Sequence, residues 1–266
     1  MLLDPRGRLV VASTLAQRLP DYEYKMDVLV QRWSGTGWAP LGSLIPDREG
    51  PVLALDANSK PFVACAQRLH GETVTFNVMV YSFDGKDTWS PLGGPVNDSP
   101  TDRLNPYLVV DHTGVPHVTY TDPLPQIRKW TGSRWVEVNA NPWINGAYLR
   151  WLEIAFDDSG RLFGLGGFSD DTVRVLMFNG SDWVPVGDSF GNQIPAHTLV
   201  AGHDGHLFAI VYEGPYDESF RVADITAAGW TKSDWPVEGF GGPLAVDPDN
   251  VPVVVSSKFG VLRPNR

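Results

Sequence analysis

One unit recurs along this chain of 266 residues and constrains its fold more than any other feature. In its clearest copy, Leu108-Val109-Val110-Asp111-His112-Thr113-Gly114-Val115-Pro116-His117-Val118, an apolar run ends at an Asp. A Gly follows three residues later, and a second apolar run starts at once. Copies centre on Asp4, Asp56, Asp111, Asp157, Gly202 and Asp247, at spacings of 52, 55, 46, 45 and 45 residues. The chemistry is that of a β-hairpin. The Asp side chain caps the backbone of the next residues, and Gly, or a residue standing in for it, takes the positive φ of a tight turn.

A second motif fills the latter half of most repeats. Trp33-Ser34-Gly35-Thr36-Gly37-Trp38 leads to Leu41-Gly42, and Phe83-Asp84-Gly85 leads to Trp89 and Leu92-Gly93. Trp130-Thr131-Gly132 leads to Trp135, and Phe178-Asn179-Gly180 to Trp183 and Val186-Gly187, with a degenerate copy at Gly229-Trp230. An aromatic closes one strand, a polar residue and Gly make the turn, and Trp enters the next strand. Each repeat of about 45 residues therefore encodes four strands. The expected fold is all-β: a six-bladed β-propeller of four-stranded antiparallel blades, forming one domain over residues 1–266. Its blades fall at about 1–48, 49–103, 104–149, 150–195, 196–241 and 242–266, the last incomplete because it lacks a Trp-bearing fourth strand. The strand before each Asp is apolar throughout, as a strand covered on both faces by neighbouring blades requires. The Trp residues of the second motif are expected to wedge between blades.

The first motif resembles the NHL and sialidase-type (BNR) propeller repeats, and the second resembles bacterial propellers of the Kelch and galactose-oxidase-like kind. The resemblance spans roughly residues 1–262 and implies architecture rather than activity. The sialidase Asp-box, Ser-x-Asp-x-Gly-x-Thr-Trp, is approached only by Ser82-Phe83-Asp84-Gly85-Lys86-Asp87-Thr88-Trp89. There the Gly is displaced by one position and the motif is not repeated, so no sialidase is inferred.

Composition narrows the functional classes. A net charge of −10, from 21 Lys and Arg against 31 Asp and Glu, argues against nucleic acid and anionic membranes as partners. No apolar run approaches the roughly 18 residues of a spanning helix. Met1-Leu2-Leu3-Asp4-Pro5 lacks the basic region of a secretory signal, so the protein is cytoplasmic or its signal has been removed. The solitary Cys65, beside Phe62, Val63 and Ala64, reads as a packed thiol. Asp157-Asp158-Ser159-Gly160 and Asp247-Pro248-Asp249-Asn250 read as turns, because calcium wants six or more oxygens at fixed offsets.

In a four-stranded blade the Asp turns share one face, and the loop between strands two and three shares the other with the inter-blade loop. The dissimilar loops mark the expected functional face. They are rich in carboxylates, Arg and aromatics, which suits a glycan or another small polar molecule. Expected ligand-binding residues are Trp143, Trp151, Tyr107, Tyr148, Arg103, Arg150, His70, His197, Tyr22 and Tyr216. Trp143 and Trp151 are singled out because they lie outside the strand motif, in the longest inter-blade connection, either stacking on a ligand or anchoring the loop. Glu153, aligned with Val52, Tyr107 and Thr198, starts an inner strand, where a carboxylate entering the central channel is partly desolvated as a general acid or base needs. It is the candidate catalytic residue, with Asp102 or Glu72 as a second carboxylate. The plain alternative is a salt bridge from Glu153 to Arg150 or Arg103. His70 and His197 lack metal-ligand spacing, and no dinucleotide or phosphate-loop fingerprint is present, so no metal or cofactor is expected. Two readings stand: a carbohydrate-binding propeller, or an enzyme with one central acid/base site such as a glycoside hydrolase, lyase, cyclase or isomerase. A protein-interaction scaffold is a third. Oligomeric state is not encoded legibly.

Overall fold

The computed structural model describes residues 2–4, 7–20, 24–70, 73–101, 106–138, 143–144, 146–190, 195–202, 204–212, 219–232, 237–238, 241–247, 249–256 and 260–262. No helix occurs among them, and the strands form consecutive antiparallel meanders. The first sheet runs β1 (Leu2–Leu3), β2 (Leu9–Arg18), β3 (Tyr24–Trp33), β4 (Trp38–Pro40). The second runs β5 (Glu49–Leu55), β6 (Pro61–Leu69), β7 (Thr75–Phe83), β8 (Trp89–Pro91). The third runs β9 (Tyr107–Val110), β10 (Pro116–Asp122), β11 (Leu124–Trp130), β12 (Trp135–Val138). The fourth has an extra strand: β13 (Trp143–Ile144), β14 (Ala147–Phe156), β15 (Leu162–Phe168), β16 (Val173–Phe178), β17 (Trp183–Pro185). The fifth comprises β18 (Pro195–Ala201), β19 (Leu207–Tyr212), β20 (Ser219–Thr226) and β21 (Gly229–Lys232), with β22 (Val237–Glu238) also on β20. The last has three strands among the described residues: β23 (Gly241–Val246), β24 (Pro252–Ser256), β25 (Gly260–Leu262). The chain divides into two compact units, Met1–Val138 and Asn139–Arg266.

The recurring Asp does what its position predicts. Oδ1 of Asp56 accepts the N–H groups of Asn58 and Lys60, and Oδ1 of Asp111 those of Thr113 and Val115. Asp157 serves Ser159 and Arg161, and Asp247 serves Asp249 and Val251. Three residues after each key position the backbone turns left-handed, at Gly7, Ser59, Gly114, Gly160, Gly205 and Asn250. Side-chain capping and a left-handed residue together reverse the chain within one hairpin.

Within each unit, packing is layered between successive sheets. β6 shows why. Val63 and Cys65 point to one side, into a cluster with Val10, Val28 and Val30 of the first sheet. Phe62 and Ala64 point to the other, into a cluster with Leu108, Val118 and Tyr120 of the third. Both faces of the strand are buried, so its sequence is apolar without alternation. In the second unit, Phe163 and Leu165 join Leu207, Ala209 and Ile225, while Phe208 and Ile210 join Leu244 and Val254. Cys65 is fully buried, and desolvation, against the pull of the Arg48 charge, pushes its thiol up to about 12. It is a packed, unreactive thiol.

The second motif fastens successive sheets within each unit. Trp89 Nε1 donates to Leu41 O at 2.8 Å, Trp135 Nε1 to Leu92 O at 2.9 Å, and Trp230 Nε1 to Asp188 O at 2.7 Å. The Gly of each Leu-Gly pair is required by space as well as by its positive φ. A Cβ on Gly93 would lie 2.9 Å from the Trp130 ring, and one on Gly42 would lie 2.7 Å from Phe83. Replacing Trp89 by Phe is therefore expected to cost about 1–2 kcal/mol, since the buried Leu41 carbonyl loses its donor. Trp38, 44% exposed, offers the contrast. Trp38→Phe is expected to stay within about 0.5 kcal/mol. Urea unfolding midpoints of the two variants check the difference, and equal losses would refute the bolting role.

The fourth sheet corrects an expectation. The repeat places Trp143, Tyr148, Arg150 and Trp151 in an inter-blade loop, but they lie on β13 and β14, and His197 lies on β18. β14 extends back to Ala147 because β15 pairs with it as far as Leu149↔Phe168, across a register shift between Leu149 and Trp151. Gly146, at φ 81°, turns the chain from β13 into β14. Bareness on β15 makes room: a Cβ on Gly167 would sit 2.0 Å from Trp151 Nε1. The Trp151 indole thus lies against the Gly167 backbone, packed on the cluster around Phe163.

Candidate functional site

The first unit carries an open groove of about 540 Å³ between its first two sheets, at the ends of strands remote from the Asp turns. One wall comes from the start of β3 (Tyr24, Lys25, Met26), and the other from the end of β6 and just beyond (Gln67, Arg68, His70). The floor is the connection Pro46-Asp47-Arg48-Glu49 entering β5. That volume lies within the roughly 300–1,000 Å³ of small-molecule sites.

Local geometry holds the floor in place. Val28 bridges Ile45, and Arg48 N donates to Met26 O at 2.9 Å, so the connection is stitched to β3. Asp47 is left-handed at φ 55°, its N–H donating to Asp27 Oδ1 at 3.0 Å. Gly50, at φ 59°, donates to Thr14 Oγ1 at 3.1 Å, and the register of β5 on β6 shifts between Glu49 and Val52. Two left-handed residues therefore bracket Arg48 and Glu49 and set their direction. Arg48 Nε donates to the Tyr81 hydroxyl at 2.9 Å and Nη1 to Asp47 O at 2.8 Å. Burial, against the Arg48 charge, raises the Tyr81 phenol above its usual value, so that partner is neutral. Arg68 Nε lies 3.7 Å from Glu49 Oε1, and its guanidinium sits 5.7 Å from the centre of the Phe76 ring. Lys25 pairs with Asp27 at 3.1 Å, and Asn77 donates to Gln67 Oε1 at 3.4 Å. Tyr24 stands 55% exposed at the rim. An exposed ring beside fixed donors and acceptors is the equipment for holding a polyhydroxylated molecule by one apolar face and several hydroxyls.

A groove of about 570 Å³ lies between the same sheets on the Asp-turn side. It offers less. The Asp4 carboxylate is held by Arg8 and that of Asp84 by the turn amides of Lys86, Asp87 and Thr88, and the aromatic ring there, Phe83, is buried.

Of the residues expected from sequence, His70 lines the first groove, where Tyr24, Arg68 and the Asp47–Glu49 connection join it. Tyr107 begins β9, half-buried and opposite Thr119. In the second unit, Tyr148 and Arg150 meet the β15–β16 turn. Tyr148 N donates to Ser169 Oγ at 3.0 Å, and Arg150 Nη1 donates to Asp171 Oδ1 at 2.7 Å. That second hydrogen bond chiefly raises the Arg150 pKa. Arg150 is thus paired with Asp171, not with Glu153. Glu153 is 2% exposed, and its Oε2 accepts the Leu199 N–H of the next sheet at 2.9 Å, joining β14 to β18. Asp102, Glu72, Arg103, Tyr22 and Tyr216 lie outside the described residues, as do the side chains of Trp143 and His197. Among the described residues no group of three or more His, Cys, Asp or Glu is placed to hold a metal ion. Sequence reasoning missed Lys25 and Gln67 as groove residues. The available signal was the abrupt change from buried apolar residues to Gln67-Arg68 at the end of β6.

No family model and no curated protein matches the chain. Solved structures do. A Hadza microbial sialidase aligns with a TM-score of 0.59 at 13% identity, over 95% of this chain and 61% of that one. Aleuria aurantia lectin in complex with α-methyl-L-fucoside aligns at 0.53 and 12% identity, over 99% and 96%. A Thermus thermophilus protein described as an oxidoreductase aligns at 0.52 and 15%, over 97% and 99%. The sialidase and the lectin are β-propeller proteins. This chain has the β-propeller fold. Structural neighbours with such different descriptions show that the propeller carries the loops without choosing their chemistry.

Proposed function

We propose that the protein binds a saccharide in the groove between its first two sheets. One observation carries the reading: an exposed aromatic, Tyr24 at the start of β3, shares one cavity with Glu49 at the start of β5 and with Gln67, Arg68 and His70 at and just beyond the end of β6. Sugars present an apolar face of C–H groups and an edge of hydroxyls. An aromatic ring takes the first, and side chains that both donate and accept take the second. A β-propeller lectin of like fold is described with a bound fucoside, which supports the class of ligand though not its identity.

The test is titration calorimetry against a panel of mono- and disaccharides, with wild type, Tyr24→Ala and Gln67→Ala. Tyr24→Ala is expected to weaken binding about tenfold or more, the effect of losing an interaction worth about 1.4 kcal/mol. Both variants should retain the wild-type unfolding midpoint, since Tyr24 is exposed and Gln67 lies at a strand end. Saccharide binding unaffected by either change would place the ligand elsewhere and reject this groove.

A further inference from the structure

We propose that the saccharide is an acidic one, a uronate-type sugar whose carboxylate is held by the Arg48 and Arg68 guanidiniums; this rests on the saccharide reading of the groove. The argument begins from how this chain treats its other arginines. With ten more acidic than basic residues, carboxylates are in surplus, and five of the described arginines hydrogen-bond one. Arg8 donates to Asp4, Arg128 to Asp98, Arg150 to Asp171, Arg161 to Asp157 and Arg174 to Asp170.

Arg48 and Arg68, which line the groove, hydrogen-bond no carboxylate among the described residues; Arg32 and Arg134, elsewhere on the chain, share that property. Both hydrogen bonds of the Arg48 guanidinium go to neutral oxygens, the Tyr81 hydroxyl and the Asp47 carbonyl. The Cys65 thiol near it is also un-ionised. Arg68 makes a loose ion pair with Glu49, Nε to Oε1 3.7 Å, beyond hydrogen-bonding distance. Each guanidinium lies 5.7 Å from the centre of a ring, Tyr81 for Arg48 and Phe76 for Arg68, which limits its freedom without satisfying its N–H groups. Among the described residues, both guanidiniums thus keep N–H groups without a hydrogen-bond partner, and both line one cavity beside an exposed ring. A guanidinium is a planar fork that matches the planar pair of oxygens in a carboxylate, and such charge-assisted bonds are roughly twice as strong as neutral ones. Glu49 offsets part of the local charge and remains available as an acceptor for sugar hydroxyls.

Matched ligands test the proposal: the methyl β-glycosides of glucuronic and galacturonic acid against those of glucose and galactose, each pair differing only at C6. Calorimetry at low ionic strength is expected to show an acidic sugar bound about tenfold or more tighter than its neutral partner. The preference should shrink as salt is raised. Arg48→Gln and Arg68→Gln should each weaken the acidic sugar more than its neutral partner and so bring the ratio towards unity, with folding checked by thermal unfolding. Because Arg48 also bonds Tyr81, Arg68→Gln keeps the test open if Arg48→Gln unfolds. Equal affinity within both pairs would overturn the acidic-sugar proposal and leave saccharide binding standing. Inorganic sulfate competing as well as the uronides would reduce the site to a general anion site and overturn it too. Binding of none of the four glycosides would overturn the saccharide reading itself.

Discussion

Phe163→Ala is expected to lower the free energy of unfolding by about 3–5 kcal/mol, the range for deleting a fully buried aromatic from a core. Phe163 lies near the start of β15, a strand buried along its whole length. Its ring is fully buried, packed with Ala155, Leu165, Val175, Leu207 and Ile225, and capped by the Arg161 guanidinium 5.7 Å above it. The site collapses poorly. Its neighbours belong to two sheets whose strands are fixed by their own ladders, so the vacated volume remains a cavity. Stability of a domain is about 5–15 kcal/mol, so this change removes a large part of it. Leu44→Ala is the control, at 43% exposure, with an effect expected within about 0.5 kcal/mol. Urea unfolding followed by tryptophan fluorescence measures both. Similar midpoints would contradict the layered packing between the fourth and fifth sheets.

Asp157→Ala is expected to cost about 2–4 kcal/mol at neutral pH, because one buried carboxylate organises a whole turn. Its oxygens accept from Ser159 N at 3.1 Å, Ser159 Oγ at 2.8 Å, Arg161 N at 2.8 Å and Arg161 Nε at 2.6 Å. Arg161 is 42% exposed, so the ion-pair share is screened and most of the loss comes from the backbone amides and the hydroxyl. Burial opposes ionisation of Asp157. The Arg161 N–H, the Ser159 hydroxyl and the Arg161 side chain outweigh it, and the carboxyl is held below its usual value. A depressed value in the folded state means stability that is fully present above the unfolded carboxyl value of about 3.9. That stability is lost as pH falls through the lower folded value. The gap between wild type and Asp157→Ala is therefore expected to be widest at about pH 6–7 and to narrow below about pH 4. Unfolding curves at neutral, mildly acidic and strongly acidic pH check this. A gap that widened on acidification would contradict the direction of the shift.

The Asp turns are legible in the amino-acid order alone because each is decided within five residues. The acceptor at Asp157 and the positive φ at Gly160 are both local, and Ser59 and Asn250 keep the turn where Gly is missing. The Trp bolts are half legible. Spacing announces that Trp89 and Trp135 recur, but their partners, the carbonyls of Leu41 and Leu92, lie 48 and 43 residues away. The site is less legible still. Trp151 stands out as a tryptophan outside the motif, yet a run of glycines on the neighbouring strand draws it into packing. Glu153 stands out as a carboxylate on an inner strand, and its oxygen holds the Leu199 amide of the next sheet.

By itself, the sequence determined the all-β class, the repeated hairpins and the burial of strands on both faces. These follow from backbone dihedrals, turn capping and the two-residue period of a strand, which act over a few residues. Only the tertiary structure decided that Tyr24, Gln67 and Arg68 share a groove with Arg48, and that Arg48 meets neutral oxygens while Arg8, Arg128, Arg150, Arg161 and Arg174 meet carboxylates. Those outcomes depend on which sheet packs against which, and at what register. Such contacts join residues far apart in the chain, and no local pattern specifies which polar strand ends will face one another.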